Sequence, residues 1–417
     1  MAVYGQTSTP NNSFTNNKKV QLVAANIEDL RVFTKASVSK MKQSDFEGKK
    51  YGRSYSLYIP GRPKLVNGVV ADPSDITEIE TSVMLDNDNV SAELGPWQRL
   101  GDMEKFNEQF AYPYAETLAR GQEKKIIENE IFKAMSAVVA PKTSASFDGA
   151  DFDILGKATG KLRKLALGTE LIGFLDSEVQ SEIVNKAVGK KFITDDKKFM
   201  DLYGEAAIGK YAQAKWVETP DLPEITTGAS AATGSITLGD PITDSDSHAL
   251  GFAEITKISG TNLFKGAMFT VAGLKMVDRS GLQTNVPVQI IVKSVNVAGT
   301  EGEISPLRIT LDGKAYNNPN AWVATGTESL SLVYALGTSK TYQICEVRAK
   351  DALAYDTYQF DSLPGSDEEM VSTVGGTSVK MRIFGDGTNL NKLYRIDSAY
   401  AAAIYEPRDC VVIYVEK

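Results

Sequence analysis

The chain has 417 residues, enough for two or three domains at about 150 residues each. Its 24% charged and 42% hydrophobic residues are ordinary for a globular protein, and a net charge of −8 argues against a bulk-basic nucleic-acid binder. One histidine, His248, removes the commonest general base and metal ligand, while two cysteines, Cys345 and Cys410, exclude a disulfide framework or a thiolate-built zinc site.

The charge is unevenly spread. Between Met1 and Lys64 eleven Lys and Arg stand against four Asp and Glu, a net +7 that leaves −15 for the remainder. This arm is either a solvated basic face or a segment lying on a polyanion or an acidic neighbour. Met1 to Asn17 is polar and lacks the apolar stretch of a signal peptide, and no run of about 18 apolar residues occurs. The expectation is a cytoplasm-like compartment, no membrane and free thiols.

In chain order, Leu22, Ile27, Leu30, Phe33, Val38 and Met41 fall near helical period, predicting one or two amphipathic helices over Val20–Lys42. Tyr55–Ile59 reads as a strand stopped by Pro60-Gly61, and Thr81–Leu85 as its return. The excursion between them is too long for a tight turn, and loops of that length usually carry function. Asp102–Val139 is the strongest predicted helix, its apolar residues stepping from Tyr114 through Ile126 to Met135. Pro113 is an early helical residue or a kink, and the run from there to Ala140-Pro141 would span about 39 Å.

Asp151–Pro220 reads as mixed α/β. Ile154, Ala158, Leu162 and Leu165 form a helical stripe, Leu171–Leu175 a buried strand, and Ser177 with Gln180 a capping box. Ile208–Tyr211 and Ala214–Glu218 close the segment. From Asp221 to about Ile344 the helical period vanishes, and strand candidates recur at 235–238, 253–258, 268–271, 288–295, 307–311 and 329–334 between Gly, Asn, Asp and Pro. That spacing predicts a small all-β barrel or sandwich. Strands at 354–360 and 378–384 and the apolar run Cys410–Val415 follow it, which places the β module inside a surrounding domain.

Chemistry-bearing patterns are sparse. Asp244, Asp246 and His248 would share one face of an extended segment, but they lack the glycine and distal Glu of a calcium loop. Gly385-Asp386-Gly387 has Leu390 where a dinucleotide loop needs its third glycine, and reads first as a turn. Glu128 and Glu130 diverge on a helix, and Trp97, Trp216 and Trp322 suit core or interface anchors better than sugar platforms. No reaction, catalytic residue, cofactor or metal is assigned.

The order of basic helical arm, two-stranded excursion, long helix, interrupted α/β region and terminal strands resembles the major capsid proteins of tailed bacteriophages with the Hong Kong 97-type coat fold. Within these it is most similar to the short-tailed-phage coats with an inserted β-barrel domain. Gly52–Pro60 and Asp75–Thr77 look like the two sides of the family's extended loop, and Asp102–Ala137 like its spine helix. Lys215–Pro223 looks like the junction into the insertion, and Phe264–Gly273 like a strand pair within it. Ser378–Gly387, Tyr394–Tyr400 and Ala403–Pro407 resemble the long paired strands near the end of these coats.

The resemblance implies an α+β fold with residues 1–50 as N-terminal arm, 51–97 as extended loop and 98–145 as spine helix and peripheral domain. Residues 146–220 would begin the axial domain, 221–345 form the inserted barrel, and 346–417 return to the axial and peripheral domains. It implies a homo-oligomer of pentamers and hexamers in an icosahedral virion shell, assembled in the host cytoplasm with a scaffolding protein and a portal. Double-stranded DNA would be packaged without sequence-specific contact. Arg53, Arg62 and Lys64 would face acidic residues such as Asp72, Asp75, Glu78 and Glu80 of another copy, and Lys18, Lys19, Lys40 and Lys42 would line the inner surface. A cellular nanocompartment shell with the same fold, or a carbohydrate-binding adhesin built on the Thr- and Gly-rich β segment, are the other readings open at this point.

Overall fold

The computed structural model describes residues 16–40, 54–59, 79–95, 106–165, 169–189, 208–237, 252–279, 282–310, 321–323, 329–359, 368–385 and 391–417. The chain is α+β, with α1 (Asn16–Leu30), β1 (Ser54–Ile59), β2 (Ile79–Met84), β3 (Asp86–Leu94), α2 (Tyr112–Glu130) and β4 (Ser136–Ala140) first. Next come α3 (Phe152–Leu165), β5 (Leu171–Leu175), α4 (Ser177–Gly189), β6 (Gly209–Tyr211), β7 (Ala214–Glu218) and β8 (Glu224–Thr226). Then follow β9 (Thr233–Thr237), β10 (Phe252–Thr261), β11 (Met268–Val277), β12 (Gln283–Val295), β13 (Glu301–Thr310), β14 (Ala321–Val323) and β15 (Ser329–Tyr334). The last strands are β16 (Thr341–Ala349), β17 (Leu353–Tyr358), β18 (Glu368–Val374), β19 (Thr377–Gly385), β20 (Lys392–Ile404) and β21 (Cys410–Glu416).

Two compact units are formed, one from Met1–Leu57, Ser82–Ile126 and Ala354–Ala403, the other from Tyr58–Thr81, Ile127–Leu353 and Ile404–Lys417. In the first, strands run in the order β17-β20-β19-β18, and β3 pairs β20. Val20, Val23, Ala24 and Ile27 repeat at helical spacing, so α1 presents one apolar stripe. That stripe packs with Met370, Val379, Met381, Ile383, Tyr394 and Ile396 of the sheet and with Phe110, Ala115 and Leu118. Gly375 and Gly376, at φ +57° and +94°, make the two-residue β18–β19 turn, where both positions require left-handed backbone.

The second unit holds two sheets. One runs β4-β21-β16-β5-β7-β6, with β8 also on β16. Its centre is buried on both faces, mostly by apolar side chains but with Glu346 and Arg348 among them: every residue of β21 and β5 is buried, as is all of β16 after Thr341. The other runs β10-β9-β15-β11-β12-β13-β14, and β10 also pairs β13 from Phe252↔Thr310 to Ser259↔Glu301, so the hydrogen-bonded path returns to its start. Ile236, Ile258, Phe269, Val271, Val288, Ile290, Ile304 and Leu307 fill its core.

Several elements differ from the sequence expectation. The long helix ends at Glu130, passes through a 3-10 turn at Ile131–Lys133, and turns extended at Ala134. Ser136–Ala140, read as its last turns, is instead β4, parallel to β21 from Ser136↔Val411 to Ala140↔Val415. The β-branched pair Val138-Val139 and an apolar partner more than 270 residues away win over local period there. At the other end a π-helical turn, Asn107–Ala111, precedes α2, and the Tyr112 N–H bonds Asn107 O. Pro113 follows, where its missing N–H is absorbed by that wider turn.

The cap of α4 is Asp176, whose Oδ1 accepts the Glu178 N–H at 2.9 Å, while the Ser177 hydroxyl bonds Glu218. Thr341–Ile344, assigned by sequence to the β module, opens β16 in the other sheet. The strands β3, β16 and β18 were not anticipated, because Asp, Asn, Glu and Arg interrupt their apolar signal.

Candidate assembly surface

β1 and β2 form a two-stranded sheet that pairs with no further strand among the described residues. Successive strand residues point to opposite faces, and here each pair splits. Leu57 and Val83 are buried, whereas their neighbours Tyr58 and Met84 are 57% and 70% exposed. A two-stranded ribbon is marginal in water by itself, and large apolar side chains on its outer face call for a covering surface. Of the charged residues assigned to this excursion, Arg53, Arg62, Lys64, Asp72, Asp75 and Glu78 lie outside the described residues. Glu80 sits in β2, with its side chain outside the description.

The basic arm divides by burial. Lys18 is exposed, but Lys19 is buried, its ammonium 5.0 Å from the centre of the Phe106 ring and 5.9 Å from that of Tyr394. That is the geometry of a cation–π contact, so Lys19 faces the unit's own core. Lys40 is exposed, its backbone N–H donating to Asp356 Oδ2 at 2.9 Å, and Lys42 lies outside the described residues.

After α1 the chain is clamped to its own unit. Glu123 Oε1 accepts from Val32 N at 2.9 Å, Thr34 N at 3.0 Å and Thr34 Oγ1 at 3.0 Å. Burial pushes the Glu123 carboxyl above its usual range, partly offset by those bonds. Arg31 Nη1 donates to Thr377 Oγ1 at 2.6 Å, Nη2 bonds the Tyr355 hydroxyl, and Val38 bridges Ala354 in parallel. Glu123→Ala strands two backbone donors, and we expect it to cost about 2 kcal/mol. Amides of Val32–Lys40 should then exchange faster while those of α1 keep their protection, as hydrogen-exchange mass spectrometry would read.

Other sequence candidates resolve unevenly. Asp244, Asp246 and His248 lie outside the described residues, as do Asp386, Gly387 and Trp97. Trp216 is a core anchor, buried, with its indole N–H on Tyr211 O at 3.2 Å. Trp322 lies in β14, its side chain outside the description. Cys345 and Cys410 are free, buried thiols, Cys345 pushed up to about 12 by burial. Among the described residues no three His, Cys, Asp or Glu side chains are placed to hold a metal, and no helix is long and apolar enough to cross a membrane.

Sequence reasoning missed a set of ionic residues in the first unit's sheet. Arg382 Nε bonds Glu369 Oε1 at 3.1 Å and its Nη1 bonds Asp397 Oδ2 at 2.9 Å. Arg395 reaches Asp397 Oδ1 at 2.9 Å, and Lys380 reaches Glu369 Oε2 at 3.0 Å. The alternations Lys380-x-Arg382 and Arg395-x-Asp397 carried the signal: period two places each pair on one face, opposite the apolar face of Met381 and Ile396.

No family model matches the sequence, and no curated protein matches it. Among solved structures, the chain is similar to the capsid of Ralstonia phage GP4, at 6% identity over 92% of this chain and 88% of that one, with a TM-score of 0.47. It is similar to the capsid of cyanophage P-SCSP1u at 10% identity, 92% and 88% coverage and a TM-score of 0.45. A virus-like particle from Pyrococcus furiosus matches at 8% identity, 95% and 97% coverage and a TM-score of 0.38.

Proposed function

We propose that this chain is the major capsid protein of a tailed phage, a structural subunit that closes with copies of itself into an icosahedral shell around double-stranded DNA. The observation that carries the reading is the β1–β2 ribbon, which pairs with no third strand among the described residues and holds Tyr58 and Met84 outward. Its strands bracket the excursion from Pro60 to Glu78, long enough to reach a second copy.

On this reading the fold is of the Hong Kong 97 type. The sheet of β9–β15 is the inserted barrel, the β16-centred sheet the axial domain, and the sheet of β17–β20 with α1 and α2 the peripheral domain. Arg53, Arg62 and Lys64 of one copy meet Asp72, Asp75, Glu78 and Glu80 of another. Exposed pairs of this kind give about 0–1 kcal/mol each, so they set orientation while apolar overlap supplies adhesion. Lys18, Lys40 and Lys42 serve the inner face, toward DNA or a scaffolding protein, through phosphate or carboxylate charge alone.

Deleting Gly61–Pro73 tests this. The expected product is a folded, soluble monomer that forms no shells in negative-stain micrographs, with or without a scaffolding partner. Normal particles from the deletion would sink the proposal. Shells of the intact chain that hold a cargo enzyme, with neither DNA nor a portal, would point to a cellular nanocompartment.

A further inference from the structure

Within the second unit, the β9–β15 sheet is fastened to the β16-centred sheet by two arginines. Arg279, just past β11, bonds both oxygens of Asp351, Nη1 to Oδ2 at 2.9 Å and Nη2 to Oδ1 at 3.0 Å, and its Nε donates to Asp409 Oδ2 at 2.6 Å. Arg408, just before β21, bonds Glu406 Oε1 at 2.7 Å through Nε and reaches back to Asp278 O at 3.1 Å through Nη1. One arginine thus crosses the joint in each direction.

Among the described residues the charges at this joint do not balance: three carboxyls, Asp351, Glu406 and Asp409, face two guanidiniums, those of Arg279 and Arg408. Glu346 and Arg348 of β16, which also face the cluster, offset each other. Cys410 and Tyr405 complete the surroundings, and burial pushes both up, so they remain neutral. Among the three acids Asp409 is the innermost, with a side chain 0% exposed against 10% for Glu406 and 38% for Asp351. Both Arg279 contacts with Asp409 fall on Oδ2, while Oδ1 is buried with no hydrogen-bond partner among the described residues. An ionised carboxylate would leave that oxygen as a bare partial charge in a dry interior, which is costly. A proton on Oδ1 replaces that buried charge by a neutral hydroxyl, whose unmet hydrogen bond costs less than the charge, and balances the joint.

We propose that this joint is a proton-sensitive fastening, closed while Asp409 holds a proton on Oδ1 and loosened when the proton leaves. Burial first, and then the Glu406 charge, raise the Asp409 carboxyl from the usual 3.8 to about 7, against the pull of Arg279 and Arg408. A folded-state value above the unfolded one gives stability that is full below about pH 4 and is lost as pH rises to about 7. This runs opposite to the usual salt-bridged carboxylate, which stabilises as pH rises.

The test is thermal unfolding of the full chain between pH 5 and 8, comparing the parent protein with Asp409→Asn and Glu406→Gln. The parent midpoint, taken relative to Asp409→Asn, should fall as pH rises, with a slope approaching one proton released on unfolding. Glu406→Gln removes the like charge and should move that fall to lower pH. Hydrogen exchange at pH 8 should be faster in the parent than in Asp409→Asn across Val277–Arg279 and Pro407–Cys410, the same pH cancelling intrinsic exchange. Parallel profiles for all three proteins would overturn the proposal. Should Asp409→Asn not fold, the parent against Glu406→Gln decides: an unmoved profile overturns it.

Discussion

Gly173→Ala should destabilise the second unit by about 3 kcal/mol, seen as a lowered urea midpoint with an unchanged slope. Gly173 lies in the middle of β5, between Val347 of β16 and Trp216 of β7. The Trp216 ring occupies the space that a side chain at position 173 would take. An added Cβ would lie closer than 3.0 Å to three ring carbons, nearer than real Cβ atoms come. The indole cannot swing aside cheaply, because it is buried and its N–H is committed to Tyr211 O at 3.2 Å. Overpacking of this kind costs about 1–3 kcal/mol, and a rigid ring in a central strand belongs at the upper end. The double variant Gly173→Ala, Trp216→Leu makes the argument specific. If the clash is the cause, it should be more stable than the sum of its two single changes predicts. A Gly173→Ala protein within about 0.5 kcal/mol of the parent would show that the ring finds another place.

The same strand shows what could be read from sequence. Leu171–Leu175 was legible because a short apolar run between breakers has few alternatives, and β9–β13 and β15 were legible because Gly, Asn and Asp punctuate them, whereas the three-residue β14 was too short to signal. The stripe of Ile154, Ala158, Leu162 and Leu165 survives as the buried face of α3. What failed were elements whose cause lies far away in the chain. Ser136–Ala140 becomes a strand because β21 is there to receive it, and β3, with Asp86, Asp88 and Glu93, exists as a strand through nine paired residues of β20.

The candidate site was legible in position more than in detail. The ribbon strands stand within two residues of their expected bounds at Ser54–Ile59 and Ile79–Met84. The sequence could not show that Tyr58 and Met84 are its exposed apolar residues, since exposure depends on which face of each strand is covered. Counting lysines as one inner-surface patch missed that Lys19 lies over Phe106 and Tyr394, on the packed side of α1. Helical period alone could have flagged it, because Lys19 precedes Val20 and sits one turn before Val23.

Glu346→Ala should be the most damaging of the charge removals, at about 3–5 kcal/mol, because it leaves Arg348 charged in the middle of a sheet. Both side chains are 0% exposed, and Arg348 Nη1 lies 3.2 Å from Glu346 Oε2. The guanidinium also lies 4.7 Å from the centre of the Phe174 ring, which softens the cost without replacing a carboxylate. Burial raises the Glu346 carboxyl, and the Arg348 charge opposes that rise without cancelling it. Replacing both residues by methionine removes two desolvation costs together, and the double variant should be as stable as the parent or more so. Chemical denaturation of the four proteins closes the cycle. A double variant as unstable as Glu346→Ala would mean that the pair also supplies a polar contact that the neighbours of β16 require. The sheet would then depend on its buried charges for more than their mutual neutralisation.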